Sequence, residues 1–166
     1  MSVPSRITWA LSVVDPALDD RVVELGCGPG LAAALVCERL TTGHLVAVDR
    51  SATAVDRTTA RNATHVEAGR LSVVQSEVDA LVLPPASAAR VFSVNVNLFW
   101  TRTPTRELAV LREILEPGGV LFVLYGNGPT GVDRVTPTIA DALRTGGFRD
   151  VEAVRSPEGI GVRARR

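Results

Sequence analysis

Lysine is absent from this 166-residue chain, and all 18 basic side chains are arginine. That excludes a Schiff-base or other lysine nucleophile. A codon bias in a GC-rich genome is sufficient cause, so no function is read into the arginines themselves. The 18 acidic residues bring the formal charge to zero. Proteins that coat nucleic acid carry a basic excess, so such a partner is not expected. Cysteine is scarce: Cys27 and Cys37 form no CxxC pair, and with His44 and His65 they lack the spacing of a zinc site. Neither a disulfide framework nor a bound metal is expected, which fits a reduced, cytoplasmic protein. No run of about 18 apolar residues occurs, and the first residues show no basic segment followed by an apolar one. Neither a membrane span nor a signal peptide is therefore expected.

What is present is ordinary for a globular protein: 46% hydrophobic and 22% charged residues. The length favours one domain over residues 1–166, with a short segment (1–20) before a core (21–166). Apolar runs alternate with helical patterns. Strands are expected over 21–25 (RVVEL), 44–48 (HLVAV), 71–75, 90–97 (RVFSVNVN) and 120–125 (VLFVLY). Helices are expected over 29–40, after a Ser51 cap, from Thr103-Pro104 to the Glu116-Pro117-Gly118-Gly119 breaker, and from Thr136-Pro137 to Gly146-Gly147. Two short strands, 150–155 and 159–165, flank a Ser156-Pro157-Glu158 turn and read as an antiparallel hairpin. Repeated strand–helix alternation predicts an α/β fold, a mainly parallel sheet with helices on both faces. Ligands of such sheets sit beyond the carboxyl ends of the strands, near the switch in strand order.

The loop after the first strand reads Glu24-Leu25-Gly26-Cys27-Gly28-Pro29-Gly30, an ExGxGxG pattern. A dinucleotide fingerprint would need glycine at position 31, which is Leu31. Here all three glycines fall inside the turn, where the backbone can come close to a ligand and helix N–H groups can meet an anion. Glu24 disfavours a pyrophosphate there, because like charges would meet. A ligand bearing both an ammonium and a carboxylate suits the turn better. Asp49 ends the second strand, where a carboxylate can accept both hydroxyls of a ribose. Glu77 follows the third strand and can accept from an adenine amino group.

These residues together resemble the class I S-adenosylmethionine (SAM)-dependent methyltransferases, over nearly the whole chain from Ile7 to Arg165. VVELGCGPG at 22–30 matches the family's first motif. Asp49 in VAVDRS matches the ribose-binding acid. Ser76-Glu77-Val78 matches the place where an acid, usually aspartate, meets the adenine amino group. Val94-Asn95-Val96 matches the strand end that lines the methionine moiety, and LREILEPGGVLFVLYG at 111–126 matches the helix, turn and fifth strand. The resemblance implies a three-layer α/β/α sandwich with a seven-stranded sheet of order 3-2-1-4-5-7-6, strand seven antiparallel. It implies SAM as cofactor and S-adenosylhomocysteine (SAH) as product. The cofactor residues would be Glu24, Gly26, Cys27, Gly28, Gly30, Asp49, Arg50, Ser76, Glu77, Val78 and Asn95.

Methyl transfer by in-line displacement draws much of its acceleration from positioning and needs a base only if the acceptor must lose a proton. The lack of an obvious catalytic residue is therefore compatible with an enzyme. The segment Asn95-Val96-Asn97-Leu98-Phe99-Trp100 lacks the (Asp/Asn)-Pro-Pro-(Tyr/Phe) pattern of methyltransferases acting on adenine or glutamine. A small-molecule acceptor is expected, lined by Asn97, Trp100, Tyr125 and Asn127. Tyr125 can equally be a core residue with a satisfied hydroxyl, and Phe99 can pack under the next helix. The loop from Gly126 to Asp133 is the size of a small lid, and Trp9 can help cover the cofactor or acceptor. A chain near the minimum for this fold suggests an open acceptor site, a dimer partner completing it, or a small acceptor held by loops. Two competitors stand beside the enzyme: a non-catalytic SAM-binding module, and a nicotinamide oxidoreductase, against which Leu31 and Glu24 count.

Overall fold

The computed structural model describes residues 3–126 and 132–166. In chain order the elements are α1 (Ser5–Val14), β1 (Arg21–Leu25), α2 (Leu31–Arg39), β2 (His44–Asp49), α3 (Ala52–Arg61), α4 (Ala63–Glu67), β3 (Leu71–Gln75), a 3-10 turn (Val78–Ala80), β4 (Ala88–Val94), α5 (Leu98–Thr101), α6 (Thr105–Ile114), β5 (Leu115–Gly126), α7 (Val132–Thr145), β6 (Arg149–Ser156) and β7 (Gly159–Arg165). The strands form one sheet of order β3-β2-β1-β4-β5-β7-β6. Strands β1 to β5 pair in parallel, and β7 runs antiparallel to both β5 and β6. This is the order and polarity that the resemblance implies. No helix among the described residues is long and apolar enough to cross a membrane.

The core lies on both faces of the sheet, because successive strand residues point to opposite sides. Val22, Leu45, Phe92, Phe122 and Leu124 pack with Trp9 of α1 and Ala33 and Val36 of α2. Val23, Leu25, Val91, Leu121 and Val123 pack with Leu108 and Leu111 of α6 and Leu143 of α7. Each fully buried Val, Leu or Phe among them contributes about 1.5–3 kcal/mol. Two-sided burial explains why VLFVLY shows no polar alternation.

Several boundaries differ from the sequence expectation, each for a backbone reason. β4 stops at Val94 rather than Asn97, because Asn95 adopts a left-handed φ of 61° and the chain then turns into α5, which the pattern did not show. α2 starts at Leu31, two residues after Pro29, with left-handed Gly30 as its N-cap. α6 starts at Thr105 with Pro104 at the N-cap and no side-chain cap bond, so Thr103 does not cap it. Leu115 already pairs with Ala88, so β5 begins before the Pro117-Gly118-Gly119 irregularity. α7 starts at Val132, leaving Pro137 inside the helix. The segment before β1 is largely the helix α1. Trp9 packs in the core against Gly159 and does not line the cavity described next.

Candidate functional site

β1 is flanked by β2 on one side and β4 on the other, so the chain's winding reverses there. The loops after these strands diverge at that point and leave a cleft. A cavity of about 470 Å³ occupies it, lined by the ends of β1 (Gly26), β2 (Val48, Asp49, Arg50), β3 (Ser76, Glu77, Val78) and β4 (Val94 to Leu98), and by Thr101 and Arg102. Of the residues expected to bind cofactor, Gly26, Asp49, Arg50, Ser76, Glu77, Val78 and Asn95 are thus brought together around one cavity. Glu24, Cys27, Gly28 and Gly30 lie in or behind the turn instead.

The three glycines of that turn meet three different neighbours. A Cβ on Gly26 would stand 2.5 Å from Cγ2 of Val96, so β4 needs that space. A Cβ on Gly30 would stand 2.8 Å from the Thr58 Cα and 2.7 Å from the Asn62 amide nitrogen, so α3 needs that one. A Cβ on Gly28 would meet nothing within 4 Å. Only Gly28 therefore borders open space. The turn's amides are already used: those of Gly26 and Cys27 donate to the Val48 carbonyl, that of Gly28 to Asp49 Oδ2 at 3.0 Å, and that of Gly30 to the Cys27 carbonyl. The amides of residues 26–30 are thus committed within the protein, which leaves the helix N–H groups of the sequence reading. Donors for an anion must come from the first turn of α2, whose leading N–H groups have no helical partner.

Asp49 is held at both oxygens. Oδ1 accepts from the Ser51 N–H at 2.9 Å and Oδ2 from the Gly28 N–H. Each carboxylate oxygen keeps a second lone pair for a ligand hydroxyl. The Asp49 carbonyl accepts from the Ser76 N–H, and the Arg50 carbonyl from Gln75 Nε2, which ties the ends of β2 and β3 together. Asn95 reaches across to β5, its Oδ1 accepting from the Gly126 N–H at 2.9 Å. Cys27 is buried with its sulfur accepting from the Thr58 hydroxyl, and burial raises its thiol to about 11, so it packs rather than reacts.

Glu24 is 4% exposed, and its Oε2 has no partner. Burial first, and the neighbouring Asp49 charge second, raise its carboxyl to about 8 from 4.5. The folded protein then keeps a proton that the unfolded chain loses above about pH 4.5. The contribution of Glu24 to stability is accordingly full below that pH and is lost as pH rises through about 8. The urea midpoint is expected to fall between pH 5 and 8, and Glu24→Gln, which cannot titrate, to flatten that decline. An unchanged slope in Glu24→Gln would refute the assignment.

The expected acceptor residues divide. Asn97 lines the cavity. Tyr125 does not: it is buried in the core, its hydroxyl donates to the Val96 carbonyl at 2.6 Å, and burial raises its pKa. Trp100 is 38% exposed but is not on the cavity wall, and Phe99 is buried in the core. Asn127, with most of the expected lid, lies outside the described residues. Thr101 and Arg102 are additions that sequence reasoning missed. Arg102 donates to the buried carboxylate of Glu107. The only sequence signal for that pair was their five-residue spacing across the start of a helix, which is too common to single out.

A family model described as a methyltransferase domain matches residues 22–119. The chain is 30% identical over 131 residues to trans-aconitate 2-methyltransferase of Streptomyces avermitilis, a match covering 78% of this chain and 47% of that protein. The chain thus spans about half the length of the curated relatives it matches. Among solved structures, a SAM-dependent methyltransferase from Aquifex aeolicus superposes with a TM-score of 0.76 at 19% identity, covering 99% of both chains. Geranyl diphosphate C-methyltransferase from Streptomyces coelicolor A3(2), solved with SAH, superposes at 0.78 with 12% identity, covering 98% of this chain and 78% of that one. The cavity's own features fit that cofactor class. The lining has a carboxylate held at the end of β2 and an acid following β3, and the adjoining turn leaves open space at Gly28. From the match over 22–119 and the sheet order around that cavity, we conclude that this chain belongs to the class I SAM-dependent methyltransferases.

Proposed function

We propose that this chain methylates a small organic acceptor bearing a carboxylate, with SAM as donor. When bound, SAM supplies an electrophilic methyl group on a positively charged sulfonium. In this reading Asp49 accepts from the ribose hydroxyls, Glu77 from the adenine amino group, and Gly28 leaves room for the amino-acid tail. The observation that carries it is the composition of one cavity: acids at the ends of β2 and β3, and Asn97, Thr101 and Arg102 from α5 and its two caps.

Arg102 supports the acceptor class. Its pairing with Glu107 uses one of five guanidinium N–H donors. The side chain stays 56% exposed, with donors left over for a planar carboxylate. The relatives named for trans-aconitate, a tricarboxylate, agree with this reading. A carboxylate oxygen is already deprotonated at neutral pH, so positioning can suffice without a base.

The test is release of SAH from SAM with a panel of mono-, di- and tricarboxylates, beside uncharged analogues. Turnover confined to carboxylates is expected. Arg102→Met should raise KM for the acceptor about tenfold or more, the scale of a lost charge-assisted hydrogen bond, with KM for SAM unchanged. Equal turnover of uncharged analogues would overturn the acceptor class. Binding of SAM and SAH with transfer to none of them would favour a non-catalytic SAM-binding module.

A further inference from the structure

Two polar side chains of α3 and that of its C-cap, Asn62, grip the glycine turn, and none of them lines the cavity. The Thr58 hydroxyl donates to the Gly28 carbonyl at 2.9 Å. Arg61 Nε donates to the Pro29 carbonyl at 2.7 Å, and Asn62 Nδ2 to the Gly30 carbonyl at 3.0 Å. Three consecutive carbonyls thus meet donors at positions i, i+3 and i+4, which share one side of a helix. The absence of a side chain on Gly30 permits this approach.

The same turn is held at its N–H side by Asp49, through the Gly28 amide. Asp49 in turn accepts from Ser51, whose Oγ accepts from the Ala54 N–H as the cap of α3. The chain of bonds closes on itself: Asp49 to Gly28, Gly28 to Thr58, and back along α3 to Ser51 and Asp49. Thr58 and Asn62 are buried at 0% and 1% exposure, and Asn62 Oδ1 has no partner. An unpaired buried oxygen is a loss to stability. A side chain kept only for packing would avoid it.

We infer that Thr58, Arg61 and Asn62 are positioning residues for the methyl donor, holding the carbonyls of residues 28–30 back from the space its amino-acid carboxylate takes. Carbonyl oxygens turned toward that carboxylate would repel it. Bound to these side chains, and at Gly30 also to the Ala34 N–H of α2, they cannot turn. The inference rests on the reading of the cavity as the donor site.

The test is calorimetric titration of SAH into the parent, Thr58→Val, Thr58→Ser and Arg61→Met, with urea unfolding of each without ligand. Arg61 is exposed, so Arg61→Met should unfold like the parent. Expected are an affinity loss of about tenfold for Thr58→Val and several-fold for Arg61→Met, with recovery to near the parent in Thr58→Ser. Adenosine, which has no amino-acid tail, should bind Arg61→Met as it binds the parent. Parent-like SAH affinity in Arg61→Met and in Thr58→Val, whatever their stability, would leave α3 a packing element and overturn the inference. So would an equal loss for adenosine. If the parent itself binds no SAH, the donor-site reading falls and this inference with it.

Discussion

Gly28→Val should eliminate SAM binding and leave the protein folded. The α-carbon of Gly28 faces open space, so the new side chain meets no protein atom within 4 Å at its Cβ. It projects instead into the space assigned to the donor's tail. The residue has a φ of 52°, a left-handed conformation that a β-branched side chain resists. The strain should cost about 1–3 kcal/mol, which a protein of typical stability, about 5–15 kcal/mol, survives. Gly30→Val makes the contrasting case. Its Cβ would fall 2.8 Å from the Thr58 backbone, so α2 and α3 must separate. Unfolding should dominate there, with binding lost only as the fold is lost. Calorimetry with SAH and thermal melts of both variants separate the two effects. Parent-like affinity in Gly28→Val would remove the donor's tail from this turn.

Asp49→Ala is expected to weaken SAM binding by about 1–3 kcal/mol, the scale of a hydrogen bond to a charged group, or roughly 5- to 150-fold in Kd. The substitution removes the acceptors assigned to the ribose. It also frees the Gly28 and Ser51 amides that Asp49 holds. Asp49→Asn tests the two roles apart. Its amide offers one acceptor oxygen and one donor nitrogen, so it can keep only one of the two backbone bonds. An intermediate loss is expected for Asn. If the alanine variant bound SAM as the parent does, neither the ribose nor the turn would depend on this carboxylate.

Much of this architecture was legible from the chain alone. The five parallel strands, the closing hairpin and the Ser51 cap are written in short-range patterns: runs of apolar residues, glycine and proline punctuation, a hydroxyl before a helix. Such patterns act over a few residues and survive without knowledge of the rest. The ExGxGxG turn and Asp49 were legible for the same reason, because each follows directly from the end of a strand. The individual reasons for the three glycines were not. Gly26 answers to Val96 and Gly30 to Thr58 and Asn62, partners that are distant in sequence. Tyr125 could have faced either the cavity or the core. A hydrogen bond to Val96, 29 residues away, puts it in the core.

The amino-acid sequence by itself determined the order of the seven strands, the parallel sheet and the turn that opens at its centre, because backbone preference and hydrophobic period are local properties. Only the tertiary structure decided that Arg102 reaches the cavity wall, that Glu24 is sealed off with one oxygen unpaired, and that α3 holds the carbonyls of residues 28–30. Those facts depend on how separate helices and strands pack, and packing is set by all the chain's surfaces at once.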